Sequence, residues 1–82
     1  MKRFYYTFGT DKRYPYRGGW VEVWADNMQE ADEIFRKHYP DRISGTFNCA
    51  HYYTEEEFRK TDMCVKGNLG AFCHDVIGRI GV

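Results

Sequence analysis

Apolar and polar residues alternate in two short runs near the start of the chain, and alternation with a period of two marks half-buried strands. In KRFYYTF, Lys2 to Phe8, one face carries Phe4, Tyr6 and Phe8 and the other Arg3, Tyr5 and Thr7. In GWVEVWA, Gly19 to Ala25, Val21, Val23 and Ala25 lie opposite Trp20, Glu22 and Trp24. The valine side reads as the core face. Two tryptophans on the other side predict that this face is partly covered as well.

The period then lengthens to that of a helix. Met28, Ala31, Ile34, Phe35 and His38 fall on one stripe, with Glu30, Asp32, Glu33, Arg36 and Lys37 outside it. Asp26 and Gln29 stand at capping-box positions, acids precede cations as the helix dipole favours, and Pro40 ends the element. GTFNCAHYY, Gly45 to Tyr53, predicts a third strand with Phe47, Cys49, His51 and Tyr53 on one face and Asn48, Ala50 and Tyr52 on the other. Thr54 and Glu57 form a second capping box, and Tyr53 and Phe58 are spaced as a hydrophobic staple, so a short helix follows at once. Met63–Gly70 reads as irregular, and Ala71–Ile77 as a fourth strand or a closing helix. The order β-β-α-β-α-β predicts an α+β domain spanning 1–82, with an antiparallel-rich sheet of three or four strands and the main helix across one face.

Composition adjusts this picture. Fifteen of the 82 residues are Phe, Tyr or Trp, enough large side chains to compensate for a short chain. Seven of these are Tyr, whose hydroxyls favour a wet rim or a binding surface. Net charge is zero, but residues 1–20 carry +4, residues 21–62 carry −5 and residues 63–82 carry +1. A general polyanion binder is therefore disfavoured, while the basic start could attract an anionic ligand. Three cysteines, no apolar signal-peptide core and no membrane-length apolar run predict a cytoplasmic protein with reduced thiols.

Catalytic chemistry finds little support. Cys49, His51, Cys64, Cys73 and His74 are metal-ligand types, but no C-x-x-C or H-x₃-H spacing joins them. Neither Cys49 with His51 nor Cys73 with His74 has a third residue spaced to orient the base. Glu55, Glu56 and Glu57 have a sufficient role as helix-start acids. The chain reads as a protein without catalysis, metal or cofactor.

The feature left over is the connection between the first two strands. FGTDKRYPYRGGW puts eleven residues, Gly9 to Gly19, where hairpins ordinarily use two to five. Lys12, Arg13 and Arg17 are charge-assisted donors, Gly9, Gly18 and Gly19 let backbone approach a ligand, and Tyr14 and Tyr16 offer ring faces. Trp20 at the loop exit, and Tyr52 and Tyr53 on the third strand, would extend the platform. As a protein-binding surface, Tyr14, Tyr16, Arg17 and Trp20 are the expected anchors. As a nucleotide site, Lys12, Arg13 and Arg17 would hold phosphates. The competing structural role is a plug, with Tyr14-Pro15-Tyr16 folded back over the sheet.

FYYTFGTDKRYPYRGGWVEVWADNMQEADEIFRKHYPDR, NCAHYYTEEEFRKT and GAFCHDVI together resemble a recurring group of small uncharacterised proteins of Firmicutes phages and mobile elements. The resemblance covers nearly the whole chain. It rests on F-G-x-D with Pro-Tyr and Gly-Gly-Trp-Val-Glu-Val, on the helix after Ala25-Asp26, and on Tyr53-Thr54-Glu55-Glu56-Glu57-Phe58. It transfers no functional residue. It implies a stoichiometric binder, either an anti-defence inhibitor occupying a host protein complex, as anti-CRISPR proteins do, or a sponge for a nucleotide signal. A nucleic-acid-binding accessory protein ranks last, because net charge is zero. An uncovered edge strand would also let two chains pair as a homodimer.

Overall fold

A computed structural model describes residues 1–9, 11–61 and 73–78. Six elements follow in the order β1 (Lys2–Thr7), β2 (Trp20–Ala25), α1 (Met28–His38), β3 (His51–Thr54), α2 (Glu55–Arg59) and β4 (Cys73–Gly78). The expected α+β class is met, the element order roughly matches, and the last described element is a strand. The region Met63–Gly70 and Cys64 lie outside the described residues.

The strands form one mixed sheet in the order β3-β1-β2-β4. β1 is antiparallel to both β2 and β3, whereas β4 runs parallel to β2. Alternation along β1 and β2 sorts side chains to two faces. Phe4, Tyr6, Phe8, Val21, Val23 and Ala25 are buried with Ala31 and Phe35 of α1, and Cys49 and Ile77 complete this core. Tyr6 stacks on Phe35 at 4.2 Å between centroids, and its hydroxyl donates to Asp32 Oδ1 at 2.6 Å. On the opposite face Tyr5, Trp20 and Phe58 form a second, smaller cluster. Tyr5 stacks on Phe58 at 4.1 Å, and Trp20 meets the same ring edge-on at 5.0 Å. Thus α2, short as it is, covers the tryptophan side of the sheet through one buried residue.

Local expectations hold best where capping chemistry is unambiguous. Thr54 Oγ1 accepts the Glu57 N–H, and Glu57 Oε1 accepts the Thr54 N–H. At α1 the cap lies one residue later than the sequence suggested. Asn27 Oδ1 accepts the Glu30 N–H at 2.8 Å, and Glu30 Oε1 accepts the Asp26 N–H at 3.1 Å. Two adjacent candidate caps compete here, and in the Asn27 register Glu30 bonds the N–H of the residue before the cap, so the reciprocal box is not closed. His38, expected on the apolar stripe, is exposed.

The third strand is the main correction. Only His51–Thr54 is extended in the sheet; residues 43–46 form a turn, with the Thr46 N–H donating to the Ile43 carbonyl and Gly45 at φ 80°. The chain between turn and strand does not alternate. Phe47 packs on Phe35 and Tyr52, and Cys49 is 6% exposed in the α1-side core. Phe47 and Tyr52 therefore share a side although their spacing would oppose them on a continuous strand.

Candidate functional site

The long connection is a closed loop rather than an open one. The Gly18 N–H donates to the Gly9 carbonyl at 2.6 Å, and the Phe8 N–H to the Gly19 carbonyl at 3.4 Å. Gly9, Gly18 and Gly19 have φ values of 60°, 74° and 72°. These angles suit glycine and narrow the neck of the loop.

Inside it, Tyr16 turns back toward the sheet. Its ring stacks on His74 of β4 at 4.0 Å and 7°, and meets Phe8 and Tyr39 edge-on. His74 is fixed in turn through Nε2, 2.8 Å from the Gly18 carbonyl. Since a carbonyl only accepts, Nε2 carries the proton in this contact. Tyr16 is thus a plug joining loop, β4 and the end of α1. It is not available as an exposed anchor.

Trp20 is not available either. It is 9% exposed and packs on Phe58 on the α2 face, away from Tyr16. The expected platform is therefore divided between two faces, because the residue that opens β2 must obey the strand's alternation. Lys12, Arg13 and Arg17 are exposed, Tyr14 is half-buried, and Tyr52 is 40% exposed. Arg13 does not stand alone. Its Nε and Nη2 both reach Asp11 Oδ2, at 3.0 and 2.7 Å, and hold that carboxyl below its usual range.

The loop's outer wall meets a segment that the sequence did not single out. Arg42 Nη1 donates to the Arg13 carbonyl at 2.6 Å. Between the loop and residues 42–48 lies a cleft of about 210 Å³ bordered by Arg13, Tyr14, Arg42, Ile43 and Phe47. A second hollow of about 260 Å³, sharing Tyr14, Thr46 and Phe47, continues to His51 and Tyr52 at β3. Arg36 lies over the Phe47 ring at 4.0 Å, while its Nε is held by Asp41. Ile43 is 59% exposed at the mouth. Of the expected site residues, the structure thus gathers Arg13, Tyr14 and Tyr52 along one depression. Arg42 and Ile43 join them. The signal for these two was local: an isoleucine directly before Ser44-Gly45 sits at a turn, where burial is hard to achieve.

A wider hollow, about 760 Å³, lies at the other end of the sheet between Lys2, Arg3, Asn27 and α2. Two of its cations share one carboxylate, because Glu55 Oε2 holds both Arg3 Nη2 at 2.6 Å and Arg59 Nη2 at 2.9 Å, while Lys2 and Lys60 also border it.

Among the described residues the thiols and imidazoles do not converge. Cys49 is buried in the core, His51 is exposed against Tyr53, and Cys73 is exposed on β4. Among the described residues no group of three or more His, Cys, Asp or Glu could hold a metal ion. No helix among them is long and apolar enough to cross a membrane. Comparison of the chain with protein-family models, with curated proteins and with solved structures finds no match.

Proposed function

We propose that this is a small non-catalytic binding protein that occupies another protein through the depression between the 9–19 loop and residues 42–52. The observation that carries the reading is exposed apolar surface beside a side-chain-sized recess. Ile43 and Tyr52 remain 59% and 40% exposed, flanking hollows of about 210 and 260 Å³. Apolar and aromatic groups around small recesses with arginine at the rim are the make-up of interface hot spots. The resemblance to small phage and mobile-element proteins supports a cytoplasmic role in which the bound partner is a host defence complex, blocked stoichiometrically.

A nucleotide finds less here. Small-molecule sites commonly enclose about 300–1,000 Å³, more than either recess. The Gly18 N–H closes the loop neck, and Arg13 is already engaged by Asp11. A phosphate would have to share that guanidinium with the carboxylate, which offsets its charge.

The test is affinity recovery from a bacterial lysate of Firmicutes type, with wild type compared against Ile43→Asp and Thr46→Arg. Both positions are exposed, so the fold should tolerate the changes, which circular dichroism would verify. A partner held by wild type should be recovered at least about tenfold less with either variant, the loss of one hot spot. Equal recovery of every protein by all three would overturn this surface. A rise in melting temperature with nucleotides at millimolar concentration would overturn the protein-partner reading in favour of a nucleotide.

A further inference from the structure

We propose that the partner, on the reading just given, presents an extended segment that pairs with the outer edge of β3 and places an acidic side chain against Arg42. Arg42 is the first ground. Arg3, Arg13, Arg36 and Arg59 each hold a carboxylate. Arg42 holds none among the described residues, yet it is fixed by its bond to the Arg13 carbonyl. A guanidinium has five donors in a planar fork, and one contact leaves the fork able to take a carboxylate at the cleft.

The second ground is the edge itself. Among the described strands β3 is terminal in the sheet order. Its four residues, His51-Tyr52-Tyr53-Thr54, include no Lys, Asp, Glu or Pro to blunt the edge; the Thr54 N–H is taken by Glu57, so pairing would centre on Tyr52 at the end nearer the depression. The outer strand at the opposite margin, β4, carries Asp75.

The third ground is their continuity. The hollow that begins at His51 and Tyr52 shares Tyr14 and Phe47 with the Arg42 cleft. A strand added at β3 would run toward this depression, with alternate side chains entering one recess and then the next. Main-chain bonds would supply affinity, and the recesses would select sequence.

The test uses a displayed library of random linear peptides selected on the wild-type protein. Selected peptides should share one Asp or Glu at a fixed place within alternating apolar residues. Arg42→Gln should weaken a selected peptide about tenfold or more. Replacing the peptide's acid by its amide should weaken binding to wild type by a similar factor, and should cost little further against Arg42→Gln. N-methylation of alternate peptide amides should abolish binding, while methylation of the intervening amides should not.

A library without binders, selected peptides without a common acid, additive losses in the cycle, or indifference to N-methylation would each overturn the proposal. Sedimentation run alongside separates a second copy of the chain from a foreign strand, since a dimer that the peptide cannot dissociate would also overturn it. These failures differ from failure of the broader reading. If Ile43→Asp still releases the cellular partner while Arg42→Gln does not, the surface stands and the acidic strand falls.

Discussion

Cys49 shows how a single side chain couples this fold to pH. It is 6% exposed, and burial first, then the nearby Asp32 and Asp41 carboxylates, push its thiol up to about 12. In the unfolded chain the same thiol titrates near 8.5. The native state therefore keeps a proton that the unfolded state gives up. The contribution to stability is complete below about pH 8.5 and is lost as pH rises through the window to about 12, at about 1.4 kcal/mol per pH unit for this one proton. Tyr5 is also pushed up to about 12, chiefly by burial, and Tyr6 is raised by burial and by its bond to Asp32. Both act with the same sign at higher pH. Urea titrations from pH 8 to 11 should show stability falling with pH, and Cys49→Ala should lower the slope between pH 9 and 10 by close to one proton. Identical slopes for wild type and variant would show that the Cys49 thiol holds its proton no more tightly when folded than when unfolded.

At the scale of elements, the 9–19 loop has two jobs that its composition does not separate. Tyr16 faces inward against His74, Phe8 and Tyr39, while Arg17 beside it is exposed. Tyr16→Ala should therefore cost about 2–4 kcal/mol as a partly buried aromatic truncation, lowering the melting temperature by about 10 °C or more. Arg17→Ala should stay within about 0.5 kcal/mol. Thermal denaturation of the two variants is the check, and equal shifts would mean that Tyr16 is not a plug. The pattern of sequence marked β1, β2, α1 and α2 well, because each has one face fully committed to a core and a cap or a change of period at its ends. It marked the start of β3 poorly. Residues 47–50 satisfy Phe35, the core and the Pro40 carbonyl individually, through Phe47, Cys49 and Asn48, without being extended in the sheet. A run of alternating letters can arise from such side-chain contacts as well as from pleating. The site was legible only in part for the same reason. Tyr14, Arg13 and Tyr52 were visible as unplaced aromatic and cationic residues, but whether Tyr16 and Trp20 pointed in or out depended on contacts with His74 and Phe58, distant in sequence.

Across the whole molecule, the two faces of the sheet are unequally supported. β1 and β2 occupy the middle of the sheet and bury Tyr6, Val21 and Val23 completely beneath α1. β3 has four residues, pairs on one side only among the described strands, and leads directly into an α2 that contributes one buried side chain. Opening free energies within a protein follow the apolar contacts and exposed hydrogen bonds of each part. The β3–α2 unit should therefore open below the global unfolding free energy, while the centre of β1 and β2 opens only with it. Native-state hydrogen exchange is the measurement. The amides of Tyr6, Val21 and Val23 should be among the slowest, and those of Tyr53 and Phe58 should exchange at least about tenfold faster, a difference of roughly 1.4 kcal/mol in opening. This gradient has a functional consequence. The proposed docking edge belongs to the softer half, so an added strand would bury the outer bonds of β3 and bind the closed form better than the open one. Ligand binding to the closed form shifts opening by mass action, and a saturating selected peptide should slow exchange in β3 and α2 while leaving the β1–β2 centre nearly unchanged. Uniform slowing across all four strands would instead place the bound segment elsewhere, because protection confined to one unit is what distinguishes an edge contact from stabilisation of the whole fold.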